Sequence, residues 1–335
     1  MPCYGFFDPS RIQARHQERC LAEQEPAKST ANPPPTLVGR GERTMPLIRK
    51  VGVVGCGTMG SGIAVVVCRA GLQTVVREVS PARLAEGRQR IESFFDGSIQ
   101  RGKLTSAQKE GYLRCIQWVT DLAPLADCQV VIEAIYENVE GKRDLFCQLN
   151  TMCSPETIFV TNTSTLSVTA IAAGSGRPDR VIGMHFCNPA PLMKLVEVSR
   201  ALQTSDETVQ AANAFGEQLG KVIVSTRDTP GFIVNLFLVP FENDCIRALE
   251  AGLGSVEDID KAIKLGLGYP MGTFELLDVV GLDVHRDVSM NLYHAFKDPR
   301  FAPPPLVGRM IEAGHLGRKT GRGFYRYDRQ TGVGA

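Results

Sequence analysis

Lys50-Val51-Gly52-Val53-Val54 runs directly into Gly55-Cys56-Gly57-Thr58-Met59-Gly60 and then into an apolar stretch from Ser61 to Gly71, and no other part of the chain restricts its fold so tightly. A short apolar run bounded by glycines reads as a buried strand, and the longer stretch after it as a helix. Strand, glycine turn and helix in that order open a parallel βαβ unit that binds a dinucleotide. Gly55 permits the tight turn, Gly57 lets the backbone approach a pyrophosphate, and Gly60 lets helix and strand pack closely. The positive helix end is left facing the phosphates. Gly55, Gly57, Thr58, Met59 and Gly60 are therefore expected to bind cofactor.

The next segments continue an α/β alternation. A second strand, Thr74 to Glu78, ends in an acid at about the distance where such folds place a carboxylate on the ribose diol, so Glu78 favours NAD over NADP. Alternation along the strand turns Arg77 to the opposite face. A polar, helix-prone segment follows from Pro81 to Lys103. Further strands are expected at Ile116 to Val119, Cys128 to Glu133, Thr157 to Val160 and Arg180 to Met184. Glu137 and Asn138 follow the carboxyl end of the third of these five strands, where open α/β sheets hold ligands. From Pro230 the signals become helical, with spans expected at Phe232 to Leu253, Val256 to Leu265, Gly272 to Val280 and Leu282 to Phe296. Val234, Leu238, Phe241, Cys245 and Leu249 form an apolar stripe on the first of them. Pro303-Pro304-Pro305 reads as a rigid connection.

The expected fold class is thus α/β: a Rossmann-type, mostly parallel sheet domain over 46–229, followed by an all-helical domain over 230–330. Residues 1–45 are expected to be an extension outside both, with Met45 as the true start. This segment lacks the apolar core of a secretory signal, and its acids do not suit a transit peptide.

A net charge of +1 gives no general attraction to nucleic acid or anionic membrane surfaces. No apolar stretch reaches the roughly 20 residues needed to span a bilayer. The ten cysteines are scattered, with no Cys-x-x-Cys pair. They read as reduced thiols of a cytoplasmic protein, and no metal site is expected. The partners expected on these grounds are small molecules.

One histidine stands apart. His185 closes the strand at Met184, and Glu197 lies beyond a Pro189-Ala190-Pro191 turn on an apolar run, Leu195 to Val198, that can return antiparallel and bring a carboxylate under the imidazole. Such a carboxylate fixes the ring tautomer and stabilises the imidazolium formed when a proton arrives. A nicotinamide cofactor accepts hydride from an alcohol carbon only if a base also takes the hydroxyl proton, and this pair suits that task. His16, His285, His294 and His315 read as surface or satisfied core residues.

Together with the glycine turn, Thr161-Asn162-Thr163-Ser164-Thr165-Leu166, the His185 to Glu197 segment, Asp228-Thr229-Pro230-Gly231-Phe232-Ile233-Val234-Asn235, Gly268-Tyr269-Pro270-Met271-Gly272 and Leu316 to Tyr325 resemble the 3-hydroxyacyl-CoA dehydrogenases. Within that family the likeness is greatest to stand-alone bacterial 3-hydroxybutyryl-CoA dehydrogenases, and it covers about Lys50 to Asp328. The resemblance implies an NAD-dependent oxidation of a 3-hydroxyacyl-CoA to a 3-ketoacyl-CoA, and the reverse, by a homodimer. It implies His185 as general base, Glu197 as its orienting acid, and Ser164 and Asn235 as hydrogen-bond partners of the reacting oxygen. Asn188 would shape the nicotinamide end, and Glu137, Lys142, Ser164 and Lys319 would contact NAD. From the residues alone, Ser164 also reads as a cap for a helix from Leu166 to Ala173. Two other functions stay open: a related dehydrogenase acting on a free hydroxy acid, of gulonate or carnitine type, and a non-catalytic NAD-binding protein.

Overall fold

Val51, Val53 and Val54 are all fully shielded from solvent, although successive side chains of a strand point to opposite faces. Only a sheet covered on both sides allows this, as parallel sheets are. The computed structural model describes residues 47–327, so the expected extension and Met45 lie outside the described residues. Its eight strands are β1 (Lys50–Val54), β2 (Gln73–Arg77), β3 (Ile116–Val119), β4 (Val130–Glu133), β5 (Ile158–Thr161), β6 (Val181–Phe186), β7 (Leu195–Arg200) and β8 (Val222–Arg227). They form one sheet in the order β3-β2-β1-β4-β5-β6-β7-β8. β1 to β6 are parallel to one another, β7 runs antiparallel to β6, and β8 is parallel to β7. The order reverses between β1 and β4, and at such a switch point the loops diverge and open a crevice at the carboxyl ends.

The helices are α1 (Thr58–Arg69), α2 (Pro81–Gln100), α3 (Ser106–Arg114), α4 (Val139–Asn150), α5 (Val168–Ala173), α6 (Asp206–Gln218), α7 (Val234–Glu250), α8 (Val256–Gly266), α9 (Thr273–Val280), α10 (Leu282–Phe296) and α11 (Pro305–Glu312). One face of the sheet, through Val51, Val53 and Ile132, packs on Ile63 to Cys68 of α1, Phe95 of α2 and Phe215 of α6. The other, through Val54, Val131 and Phe159, packs on Phe146 of α4 and Ile171 of α5. Beyond β8 every α-helix belongs to a separate apolar cluster around Ile246, Phe274, Leu277, Leu282 and Val307, into which Phe241, Cys245 and Leu249 of the expected stripe are packed.

Several boundaries differ from the sequence reading for local reasons. α1 begins at Thr58 because Gly57 takes the extended N-cap conformation, so the helix starts inside the glycine motif. α7 begins at Val234 because Phe232 adopts a left-handed φ of 49°, which no helix continues. The proline run is only partly a connection, since Pro305 occupies the first turn of α11, where its missing N–H is harmless. Helix α3 was not anticipated: none of its residues is fully buried, and a capping box between Thr105 and Gln108 marks its start instead. The Leu316 to Tyr325 segment is clasped by Asp278, whose carboxylate accepts the N–H groups of Phe324 and Tyr325, each at 2.9 Å.

Among the glycines of the turn, two make opposite demands. A Cβ on Gly60 would stand 1.8 Å from the Gly55 carbonyl oxygen, while one on Gly57 would meet nothing within 4 Å. Gly60→Ala is therefore expected to lower stability by about 1–3 kcal/mol, as overpacking against rigid backbone does. Gly57→Ala should stay within about 0.5 kcal/mol of the unsubstituted protein. Urea denaturation of both variants checks this, and equal midpoints would refute the packing argument.

Candidate active site

β6 and β7 pair so that His185 and Glu197 are directly opposite. His185 Nδ1 lies 2.7 Å from Glu197 Oε2, a charge-assisted hydrogen bond. Glu197 is completely buried, and its second oxygen accepts the N–H groups of Ile233 at 2.8 Å and Val234 at 3.0 Å. Those two N–H groups open α7, and they can turn toward the sheet because Phe232 ahead of them takes its left-handed conformation. The Phe232 ring, itself buried, lies 5.6 Å from the imidazole. Burial pushes the Glu197 carboxyl up, but the hydrogen bonds from His185, Val234 and Ile233 outweigh it, and the group titrates below its ordinary 4.5.

The other imidazole nitrogen, Nε2, is 3.1 Å from Ser164 Oγ. Ser164 is not the cap of the following helix: α5 starts at Val168, and Ser167 caps it by accepting from Ala170 N. Asp228 secures the same helix end by accepting from Val168 N and Thr169 N, each at 2.7 Å. Glu137 holds the Ser164 loop from below, accepting from the Thr163 hydroxyl, from Ser164 N at 2.9 Å and from Thr165 N at 3.2 Å. Lys142, wholly buried, bridges Glu137 at 3.2 Å and Glu133 at 2.6 Å. Burial pushes the Glu137 carboxyl up, yet Lys142 and the loop donors pull it lower overall, whereas burial prevails at Glu133 and raises it.

A cavity of about 550 Å³ opens at the carboxyl ends of β1, β2 and β4, lined by Gly55, Gly57, Glu78, Ala134, Ile135 and Tyr136 among others. Glu78 is oriented there by accepting Cys56 N at 2.7 Å and Val79 N at 2.9 Å. Arg77 lines the same cavity rather than turning away from it, because β2 ends at Arg77 and Glu78 lies past the strict alternation. Its Nε is engaged by the Thr120 carbonyl. The crevice suits a dinucleotide on its own chemistry. The space over Gly57 is open, α1 has no side-chain cap at its positive end, and a carboxylate stands across from it.

The remaining expected site residues are placed less directly. Asn188 is exposed in the turn after β6, next to a cis bond to Pro189. Asn235 is half-buried in the first turn of α7, two residues beyond the Glu197 contact at Ile233. Lys319 is paired with Asp283 at 2.5 Å in the C-terminal clasp and shares no hydrogen bond with the His185 cluster among the described residues. His285 is a satisfied core residue, hydrogen-bonded to Asn243 at 2.9 Å and 3.1 Å from Glu242. Sequence reasoning missed Glu133, Asp228 and Phe232 as supports of the site. It also missed Cys187, which stands beside the dyad with one donor atom within 4.8 Å of those of His185 and Glu197. Burial, then the Glu197 charge, pushes its thiol up to about 11.

Residues 50–229 match the 3-hydroxyacyl-CoA dehydrogenase NAD binding domain, and residues 231–327 match the 3-hydroxyacyl-CoA dehydrogenase C-terminal domain. The chain is 42% identical over 282 residues to the 3-hydroxybutyryl-CoA dehydrogenase of Mycobacterium tuberculosis, covering 84% of this chain and 99% of that protein. It is 43% identical over 281 residues to the 3-hydroxybutyryl-CoA dehydrogenase of Bradyrhizobium diazoefficiens, covering 84% and 96% respectively. The crystal structure of (S)-3-hydroxybutyryl-CoA dehydrogenase from Ralstonia eutropha superposes with a TM-score of 0.78 at 43% identity, over 84% of this chain and 100% of that one.

Because the folded Glu197 carboxyl titrates below its unfolded value, its contribution to stability is complete above about 4.5 and is lost as pH falls through the lowered value. The stability gap between the unsubstituted protein and Glu197→Gln should therefore narrow as urea denaturation is moved from neutral pH into that acid range. A gap that is constant across the range would contradict the assigned direction.

Proposed function

The chain belongs to the 3-hydroxyacyl-CoA dehydrogenase family of NAD-dependent oxidoreductases, and from that premise we propose that His185, held by Glu197, is the general acid/base that interconverts a 3-hydroxyacyl-CoA and its 3-ketoacyl-CoA. The observation that carries this reading is the continuous run Ser164 Oγ, His185 Nε2, His185 Nδ1, Glu197 Oε2, at 3.1 Å and 2.7 Å. NAD supplies the hydride acceptor for oxidation and, once reduced, the hydride for the reverse reaction.

The rest of the chemistry belongs to the side chains. With Nδ1–H donated to Glu197, the free electron pair of His185 lies on Nε2, the nitrogen that takes the C3 hydroxyl proton. Glu197 stabilises the resulting imidazolium and keeps the ring from turning. In the reducing direction the same Nε2–H returns its proton to the ketone oxygen. Ser164 and Asn235 hydrogen-bond the reacting oxygen and so fix it against Nε2. Gly55, Gly57, Thr58, Met59 and Gly60 hold the cofactor phosphates, and Glu78 holds its ribose diol. Asn188 and Lys319 complete the cofactor contacts. Ser164, Glu137 and Lys142 contact the cofactor as well, and Glu137 and Lys142 also fix the Ser164 loop.

The relatives' activities support a short substrate such as 3-hydroxybutyryl-CoA. A cytoplasmic location is part of the same proposal, with which the eight unpaired cysteines of the described residues agree; no helix among those residues is long and apolar enough to cross a membrane. Exposed Phe237, Leu253 and Leu265 of the helical part support a homodimer.

The test is oxidation of NADH, and separately NADPH, with acetoacetyl-CoA. Rapid loss of NADH is expected. His185→Ala and Glu197→Gln should each be slower by about 10²–10⁴-fold, the usual weight of positioned acid–base catalysis, with the fold intact by circular dichroism. Normal turnover in Glu197→Gln would remove its role. No turnover with either nucleotide by folded protein would redirect the search to free hydroxy acids, and then to a binding function.

A further inference from the structure

Cys187 lies one residue past the end of β6, two residues from His185, and its side chain is turned toward the dyad. One donor atom from each of His185, Cys187 and Glu197 lies within 4.8 Å of the other two. The dehydrogenase reaction uses the imidazole and the carboxylate and leaves the thiol without a task. We propose that these three side chains form a binding site for a thiophilic divalent cation, with Zn²⁺ the best fit, and that its occupation switches the enzyme off.

The donor set determines which ion fits. Imidazole, thiolate and carboxylate together favour Zn²⁺ over Mg²⁺ or Ca²⁺, which prefer oxygen alone. Zn²⁺ bonds such ligands at roughly 2.0–2.3 Å, and three protein ligands with an open fourth position are an ordinary arrangement. His185 Nδ1 and Glu197 Oε2 already touch at 2.7 Å. They need only part slightly, and the thiol close in, to reach tetrahedral spacing. Glu197 Oε1 stays anchored by Ile233 and Val234, so the carboxylate turns a single oxygen to the metal and the backbone does not move. Cys187 is only partly buried, which leaves a route for the ion. Its thiol proton passes to solvent as the sulfur–metal bond forms, as metal binding to thiols requires.

Inhibition follows from the imidazole. A metal on Nδ1 transfers the ring proton to Nε2, which can then accept none from a substrate hydroxyl. A metal on Nε2 occupies the base itself. This half of the inference rests on His185 being the base, whereas the binding half does not.

The two halves are read out separately on the full chain. Co²⁺, titrated in as a spectroscopic stand-in for Zn²⁺, should give a sulfur-to-cobalt charge-transfer band that Cys187→Ser and Cys187→Ala both lose. The two variants guard against a folding artefact in either, and loss by difference sets aside exposed Cys147. In the NADH assay, Zn²⁺ should inhibit and Mg²⁺ should not, and each variant, normalised to its own uninhibited rate, should need about 10–100-fold more Zn²⁺, the scale of a disturbed metal shell. A band that persists in both variants, or equal Zn²⁺ potency with and without Cys187, would overturn the proposal. A band that depends on Cys187 in protein without turnover would uphold the metal site and count against the reaction assigned above.

Discussion

A carboxylate with no solvent exposure is costly unless both of its oxygens find donors, since burying an ion costs on the order of several kcal/mol even after relaxation. Glu197 meets that condition with one charge-assisted partner and two backbone N–H groups. The same three bonds join three parts of the molecule: the strand that carries His185, the returning strand β7, and the first turn of the helical region at α7. The imidazole is thereby held at one angle and in one tautomer. The site and the joint between sheet and helices are thus one set of interactions, and a change that disturbs either reaches the other.

A second buried ionic chain works on the other side of the imidazole. Glu133 at the end of β4 and Glu137 beyond it share Lys142. Glu137 gathers the Thr163 hydroxyl and the N–H groups of Ser164 and Thr165, so the loop carrying Ser164 is set from the sheet's interior. Asn162 contributes from the same loop by accepting Phe186 N at 3.0 Å, which ties β5 to the strand of His185. Rigid placement of this kind is what proton transfer needs, because reach and alignment decide it before acidity does.

Much of the sheet was legible because parallel strands are continuous apolar runs punctuated by glycine and polar turns, and β1, β4 and β5 each show that pattern. The antiparallel return of β7 was legible for a different reason: a proline turn sits between two apolar runs of the kind that pair. Helix α3 was not legible, because it buries no residue completely and so has no strong periodicity. Ser164 was ambiguous for a local reason: serine before an apolar run reads as a cap, and a serine three residues later, Ser167, reads equally well. Arg77 misled because strand alternation was carried one residue past the strand's end.

The sequence by itself determined the fold class, the glycine turn and which histidine and acid face each other, since each rests on spacing within a short segment. Only the tertiary structure decided what surrounds them. Glu197 meets Ile233 and Val234 across 36 and 37 residues of chain, Glu137 meets Ser164 across 27, and Cys187 acquires a neighbour in Glu197 only through the pairing of β6 with β7. Local patterns carry propensity and periodicity, whereas the partners of a buried polar group are fixed by which strands lie side by side. Satisfying those groups depends on distances that no single segment contains.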